Sequence, residues 1–128
     1  MMDRLTLRRP KLHFDVGAGP SHLTLDDGQA LRRNLPWVDY VQARWEYAHP
    51  DVIHLEIGDW LVAIRGHNLD PLFAAIEEHT LLRVRAQPDL ERDGEHELDT
   101  FVTKIQFLEP PPGGGLRCRG QMEFDLDG

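Results

Sequence analysis

The chain has 128 residues, a net charge of −8 and 41% hydrophobic residues. This length is that of one domain and excludes a catalytic domain joined to a separate cofactor domain, while the hydrophobic content excludes wholesale disorder. Residues 1–66 carry 9 acidic and 8 basic side chains, whereas residues 67–128 carry 13 and 6. The acidic second half makes binding to nucleic acid, which needs a positive surface, less favoured.

Cysteine usage and hydropathy indicate the compartment. Cys118 is the single cysteine, so no intramolecular disulfide forms, which favours a reducing compartment. Residues 1–16 alternate charged with isolated apolar residues and lack the apolar core of a signal peptide, and no apolar run reaches the ~18 residues of a membrane span. We therefore expect a cytoplasmic protein with no membrane association.

The first motif is GAGPS at residues 17–21, which is spelled like the glycine turn of a dinucleotide-binding protein. Residues 12–16 predict a strand before it, but a histidine stands where the third glycine belongs. The pair Asp27-Gly28 then predicts a tight hairpin at 22–33 in place of a helix. Without a helix N-terminus to bind a pyrophosphate, these residues predict a loop and no cofactor.

The clearest local pattern is the alternation of residues 52–65 about a Gly58-Asp59 turn. This turn predicts a two-residue hairpin with one apolar side facing the core. The pairs across the hairpin are then Ile57 with Trp60, Leu55 with Val62, and Ile53 with Ile64.

Residues 37–47 alternate as well and predict the preceding strand. A three-residue loop at 49–51 would place Trp45 opposite Leu55, and it is the loop length for which the apolar faces of the two strands agree. The residues expected on the core side are Val41, Ala43, Trp45 and Tyr47.

The period changes after the hairpin. Asp70 before Pro71 predicts a helix N-cap, and apolar residues at helical spacing extend the helix over 70–79. Residues 80–86 predict a strand, so that 60–86 resembles a short parallel crossover.

The remaining segments are an acidic stretch, a final strand and a Pro/Gly-rich run. Residues 89–99 hold six acidic side chains and predict a solvated loop, and 101–108 alternate as a strand. We expect one globular domain over 1–108, a Pro/Gly linker at 109–115, and a tail at 116–128 that is disordered or docked as a strand. The predicted fold is α+β, with a curved, mainly antiparallel sheet of five to seven strands and one principal helix, about 70–79, packed on it.

The predicted strand register creates one candidate site on the outer sheet face. It places Arg44 opposite Glu56 and Glu46 opposite His54. A histidine with two carboxylates suits acid–base chemistry or a divalent ion. Opposite charges across strands are also common on a solvated sheet face, where each pair contributes only about 0.2–1 kcal/mol.

A second candidate site is the turn at 65–71. His67 and Asn68 would lie at the mouth between a strand and the following helix, where a small anion could bind, or they could belong to an ordinary capped turn. The seven histidines show neither CxxC motifs nor paired helical spacing, and we expect no metal site.

The functional expectation follows by elimination, since no motif identifies a family. We expect a small acidic, non-enzymatic protein-interaction module that binds a protein partner or associates with itself. One alternative is a single-stranded nucleic-acid-binding sheet domain, suggested by paired arginines near aromatic residues. The other is a small enzyme or metal-binding protein that uses His54 with Glu46 and Glu56.

Overall fold

The computed structural model describes residues 10–92 and 94–108, which form two four-stranded sheets and one main helix. The α+β prediction is confirmed, with eight strands in two sheets where the sequence predicted five to seven in one. The strands are β1 (Phe14–Val16), β2 (His22–Asp26), β3 (Arg32–Pro36), β4 (Tyr40–Arg44), β5 (Val52–Ile57), β6 (Trp60–His67), β7 (Leu81–Arg85) and β8 (Phe101–Leu108). The helices are α1 (Asp70–Glu77) and the short α2 (Asp89–Arg92), with 3-10 turns at Trp37–Asp39 and Gly94–His96.

The first sheet has the order β1-β7-β2-β3 and the second has the order β4-β5-β6-β8. At one corner β3 runs into β4 through the turn Trp37–Asp39, and elsewhere an isolated bridge joins Leu12 to Thr100. The predicted parallel crossover is wrong in its partners, because β6 and β7 lie in different sheets and β7 pairs in parallel with β2.

The β5–β6 hairpin has the predicted register, with Ile57 opposite Trp60 and Leu55 opposite Val62. Gly58 adopts a φ of 60°, which suits the glycine-first turn. Ile53, Leu55 and Ile57 are fully buried, so this hairpin supplies one wall of the core.

The predicted register of β4 against β5 is wrong by two residues. Ala43, not Trp45, lies opposite Leu55, and the strand ends at Arg44. The cause is a wider loop, which is held by a hydrogen bond from the Trp45 Nε1–H to the Pro50 carbonyl (3.1 Å). A two-residue shift preserves the faces of a strand, and the Trp45 ring still packs at 5.4 Å from that of Phe73.

Two residues of the expected core set of β4 are exposed. A bulge between Tyr40 and Gln42 turns Val41 outward, and Tyr47 lies beyond the strand end with its whole side chain in solvent. The apolar pattern alone therefore overstated the length of this strand.

The predicted first hairpin is confirmed as β2–β3, but its turn is wider than a two-residue Asp27-Gly28 turn. The Asp27 carboxylate accepts hydrogen bonds from the backbone N–H groups of Gln29, Ala30 and Leu31, at 2.8, 2.8 and 3.2 Å. These bonds lower the pKa of Asp27. An aspartate that binds its own backbone in this way replaces the tight glycine turn.

The charge of Asp27 should make the stability of this turn depend on pH. Because the folded pKa is lowered, the contribution is fully present above the unfolded pKa of about 3.9 and is lost as the pH falls from that value through the lower pKa of the folded state. We expect Asp27→Asn, which keeps an acceptor oxygen, to be less stable than wild type at about pH 7, with a smaller difference at about pH 3. Urea unfolding at both pH values measures the difference; a pH-independent gap would contradict the assignment.

The GAGPS residues form the predicted loop. β1 ends at Val16 and the chain enters β2 at His22, so no helix follows the glycines. The main helix begins with Asp70, and its N-cap is Leu69 without a side-chain cap bond, so the predicted Asp70 N-cap is wrong. The helix ends at Glu77 rather than at 79, since His79 has a φ of 56°.

The acidic stretch is more ordered than predicted. Its described residues form α2 and a 3-10 turn, and Asp99 at its end is 1% exposed, so the prediction of a wholly solvated loop is wrong there. The predicted linker and tail, 109–128, lie outside the described residues.

Candidate functional site

The corrected register changes the predicted cluster on the outer sheet face. Arg44 lies opposite His54, and Glu56 lies opposite Gln42, which donates a hydrogen bond to it at 2.9 Å. Glu46 lies beyond the strand and contacts Arg44 at 3.7 Å, with both side chains about half exposed. The carboxylates of Glu46 and Glu56 therefore contact different residues, Arg44 and Gln42, instead of lying together around His54.

The two residues predicted to form the turn site, His67 and Asn68, have different contacts. The His67 Nε2 lies 3.3 Å from a Glu91 carboxylate oxygen in an exposed pair. Asn68 instead binds backbone, because its amide donates to the carbonyls of Glu97 (3.1 Å) and Asp99 (2.9 Å). Asn68 therefore ties the end of β6 to the acidic segment that precedes β8.

The same segment completes a cluster of two histidines and an aspartate. The His13 Nε2 and the His96 Nδ1 lie 3.0 and 2.9 Å from the same oxygen, Oδ2, of Asp99. The three donor atoms all lie within 4.8 Å of one another, and this is the one group of three such side chains found in residues 10–92 and 94–108. We call it the His–Asp cluster.

Backbone contacts from distant parts of the chain position the His–Asp cluster. The Lys11 N–H donates to Asp99 Oδ1 at 2.9 Å, and the Thr100 N–H donates to the Lys11 carbonyl at 2.9 Å. The Asp99 N–H donates to the His96 carbonyl at 3.0 Å, which closes a turn around the carboxylate. The Phe101 ring packs edge-on against both imidazoles, with centroids 6.2 and 6.5 Å away.

The surroundings keep Asp99 ionised. The Lys11 amide bond is the main cause that lowers the pKa of Asp99 well below its ordinary value; the imidazole bonds act in the same direction and burial opposes them. His13 and His96 are 19% and 18% exposed, so a shallow layer of imidazole separates the carboxylate from solvent. An anionic oxygen between two imidazoles can hold a cation or serve as a hydrogen-bond acceptor for both.

Sequence reasoning missed this cluster because His13 lies more than 80 positions from its partners. The local signal was His96 and Asp99 at i and i+3, directly before the final strand. The Leu12–Thr100 bridge and the hydrogen bond from the His13 N–H to the Thr100 carbonyl bring the N-terminal segment beside that turn.

A groove of about 440 Å³ lies at the corner where β3 runs into β4. Two of its valines are exposed, Val38 by 87% and Val41 by 56%. Behind the lining residue Tyr40, the Trp37 ring packs with its centroid 5.4 Å from the Tyr40 ring, and the Trp37 indole N–H donates to the buried Leu81 carbonyl at 3.0 Å. The lining includes Val38, Asp39, Tyr40, Val41, Asp59 and Trp60, and we call it the corner groove.

Trp60 and two carboxylates give the corner groove its chemical character. The Arg33 guanidinium stacks over the Trp60 ring at 3.8 Å, which holds the indole in place. Asp39 and Asp59 are exposed, and neither has an ion-pair partner within the described ranges. The groove thus combines apolar surface with two exposed carboxylates, next to the Arg33 guanidinium on Trp60.

Comparisons with known proteins found no matching family model, no matching curated protein and no matching solved structure. Among the described helices, none is long and apolar enough to cross a membrane.

Proposed function

We propose that this protein is a non-enzymatic protein-interaction module whose corner groove receives an extended, basic segment of a partner protein. The observation that carries the proposal is that exposed Val38 and Val41 lie beside the carboxylates of Asp39 and Asp59, which have no ion-pair partner among the described residues. Solvated valines favour a partner that covers them, and the carboxylates favour one with lysine or arginine side chains.

The position of the groove suits an extended partner. β4 is the edge strand of its sheet, so one side of its backbone has no neighbouring strand in the described structure. A partner strand can add to such an edge through main-chain hydrogen bonds, while its alternate side chains reach adjacent pockets. The groove is then the pocket that would select the partner's basic side chains.

The distribution of basic side chains disfavours the nucleic-acid alternative. Arg83 and Arg85 on β7 each lie within 4.0 Å of an aspartate, at 3.8 and 3.9 Å. Arg44 and Arg65 likewise lie 3.7 Å from carboxylates. A phosphate backbone would compete with these contacts, and the net charge of −8 opposes its approach.

Two short peptides test the proposal by NMR titration, one alternating valine with lysine and the other valine with glutamate. We expect the lysine peptide to shift the amides of Val41 and Gln42 and the indole signal of Trp60, and the glutamate peptide to leave them in place. Replacing Asp39 and Asp59 together by asparagine should weaken binding by about two- to thirtyfold, because each exposed ion pair contributes roughly 0.2–1 kcal/mol.

Glu97→Gln is the matched control, since Glu97 is an exposed carboxylate just before β8, whose start pairs with His67 at the opposite end of β6 from Trp60, and it should not affect binding. Equal shifts with both peptides, or shifts spread evenly over the protein, would contradict the proposal. Concentration-dependent shifts without any peptide would identify a second copy of this chain as the occupant instead.

A further inference from the structure

We propose that the His–Asp cluster is a binding site for a divalent transition-metal ion, with Zn²⁺ the best fit. The ligands would be the Nε2 of His13, the Nδ1 of His96 and the Oδ2 of Asp99. This site is independent of the corner groove, because the groove takes all its residues from 35–41 and 58–60.

The distances suit such an ion. Zinc binds histidine nitrogens and carboxylate oxygens at about 2.0–2.2 Å, which places tetrahedral donor atoms roughly 3.3 Å apart. Both nitrogens are already 2.9–3.0 Å from the Asp99 oxygen, and the three atoms lie within 4.8 Å of one another. Side-chain adjustments of a few tenths of an ångström at Asp99, and a larger one between the imidazoles, would admit the ion.

Backbone contacts orient the Asp99 carboxylate for metal binding. The Lys11 N–H occupies Oδ1, which directs Oδ2 toward the two imidazoles. The main chain on both sides is held, since the His13 N–H donates to the Thr100 carbonyl at 2.9 Å and Asn68 donates to the Asp99 carbonyl. A metal ligand that is itself held by a hydrogen bond is oriented before the ion arrives, so little ordering remains at binding.

The donor set selects the class of metal. Two imidazole nitrogens with one carboxylate suit Zn²⁺ and its neighbours Co²⁺, Ni²⁺ and Cu²⁺. Mg²⁺ and Ca²⁺ require mainly oxygen ligands and should not compete. Three protein ligands leave a fourth position for water or for a donor from a partner.

The competing interpretation is a purely structural one, in which Asp99 simply accepts hydrogen bonds from two imidazoles. Two substitutions separate these interpretations. The amide nitrogen of glutamine reaches a position like Nε2, and that of asparagine a position like Nδ1, so His13→Gln and His96→Asn can each keep the bond to Asp99. Both remove a strong metal ligand.

The test is calorimetric titration of the full chain with ZnCl₂, MgCl₂ and CaCl₂, together with thermal unfolding. We expect one Zn²⁺ per chain and no binding of Mg²⁺ or Ca²⁺. Zinc at about a hundred times its dissociation constant should raise the Tm by about 8–14 °C. His13→Gln and His96→Asn should each weaken zinc binding more than about tenfold, because even the loss of an outer partner of a metal ligand has an effect of that size.

Two control variants exclude other zinc ligands. His54→Gln removes a partly exposed histidine of the outer sheet face, and Cys118→Ser removes the single thiol; neither should change the zinc affinity. Visible absorption of the Co²⁺-loaded protein should report nitrogen and oxygen ligands in a site of low symmetry and disappear in His96→Asn. No stoichiometric zinc binding, or equal affinity in wild type and both ligand variants, would overturn the proposal.

Discussion

Gly66→Ala should be the most damaging single-methyl change in the described structure. A Cβ at this position would lie 2.1 Å from the Phe101 carbonyl oxygen and 2.9 Å from the Val102 Cα. Both atoms belong to the backbone of β8, so no side-chain rotation relieves the clash. We expect a loss of at least about 3 kcal/mol in the free energy of unfolding, measured by urea denaturation.

Gly17→Ala is the control for Gly66→Ala. A Cβ there would meet the Leu82 side chain at 3.8 Å, which is an ordinary contact, so the change should alter stability by less than about 0.5 kcal/mol. Similar losses in both variants would show that the close approach of β6 and β8 is unimportant. Gly66→Ala should also displace Phe101, against which both imidazoles of the His–Asp cluster pack.

The parts of the fold that sequence predicted are those set by neighbours along the chain. In the β5–β6 hairpin, Gly58-Asp59 joins two strongly alternating strands, and turn and pattern specify the same register. The helix begins within one residue of its prediction, because Pro71 cannot occupy a helix interior and so marks the start.

The errors arose where a particular side-chain hydrogen bond or a pairing between distant strands decides the structure. The apolar face of β4 is compatible with registers that differ by two residues, and the Trp45–Pro50 hydrogen bond favours the wider loop. The division of the strands into two sheets depends on the pairing of β7 with β1 and β2, which lie more than 50 residues earlier. Neither the hydrogen bond nor the strand pairing can be recognised from the alternation of apolar residues.

The same dependence on such contacts explains why the register assumed for the predicted site was wrong and why the His–Asp cluster was missed. The outer-face cluster was predicted from an assumed register, and a shift of two residues was enough to separate Arg44 from Glu56. In the sequence, Asp99 cannot be distinguished from the other carboxylates of the acidic stretch, of which the described ones are exposed. A buried aspartate among solvated ones is recognisable only when its hydrogen-bond partners are known.

Asp99→Ala should be the second large effect, and it tests the cluster as a structural element without metal. The change leaves the Lys11 N–H and both imidazoles without their shared acceptor. Hydrogen bonds to a charged group contribute about 1.5–3 kcal/mol, so we expect a loss of roughly 3 kcal/mol in the presence of a chelator. Asp99→Asn, which can still accept from Lys11, should lose about half as much.

The loss should be greatest in the N-terminal segment, because Asp99 joins that segment to the start of β8. Hydrogen exchange of the Lys11 and His13 amides should accelerate more than that of the β5–β6 hairpin, whose core contacts do not involve Asp99. Glu91→Gln removes an exposed partner of His67 and should change stability by less than about 0.5 kcal/mol. If Asp99→Ala were equally mild, the buried carboxylate would be retained for a ligand rather than for the fold, and the zinc titration would become the deciding measurement.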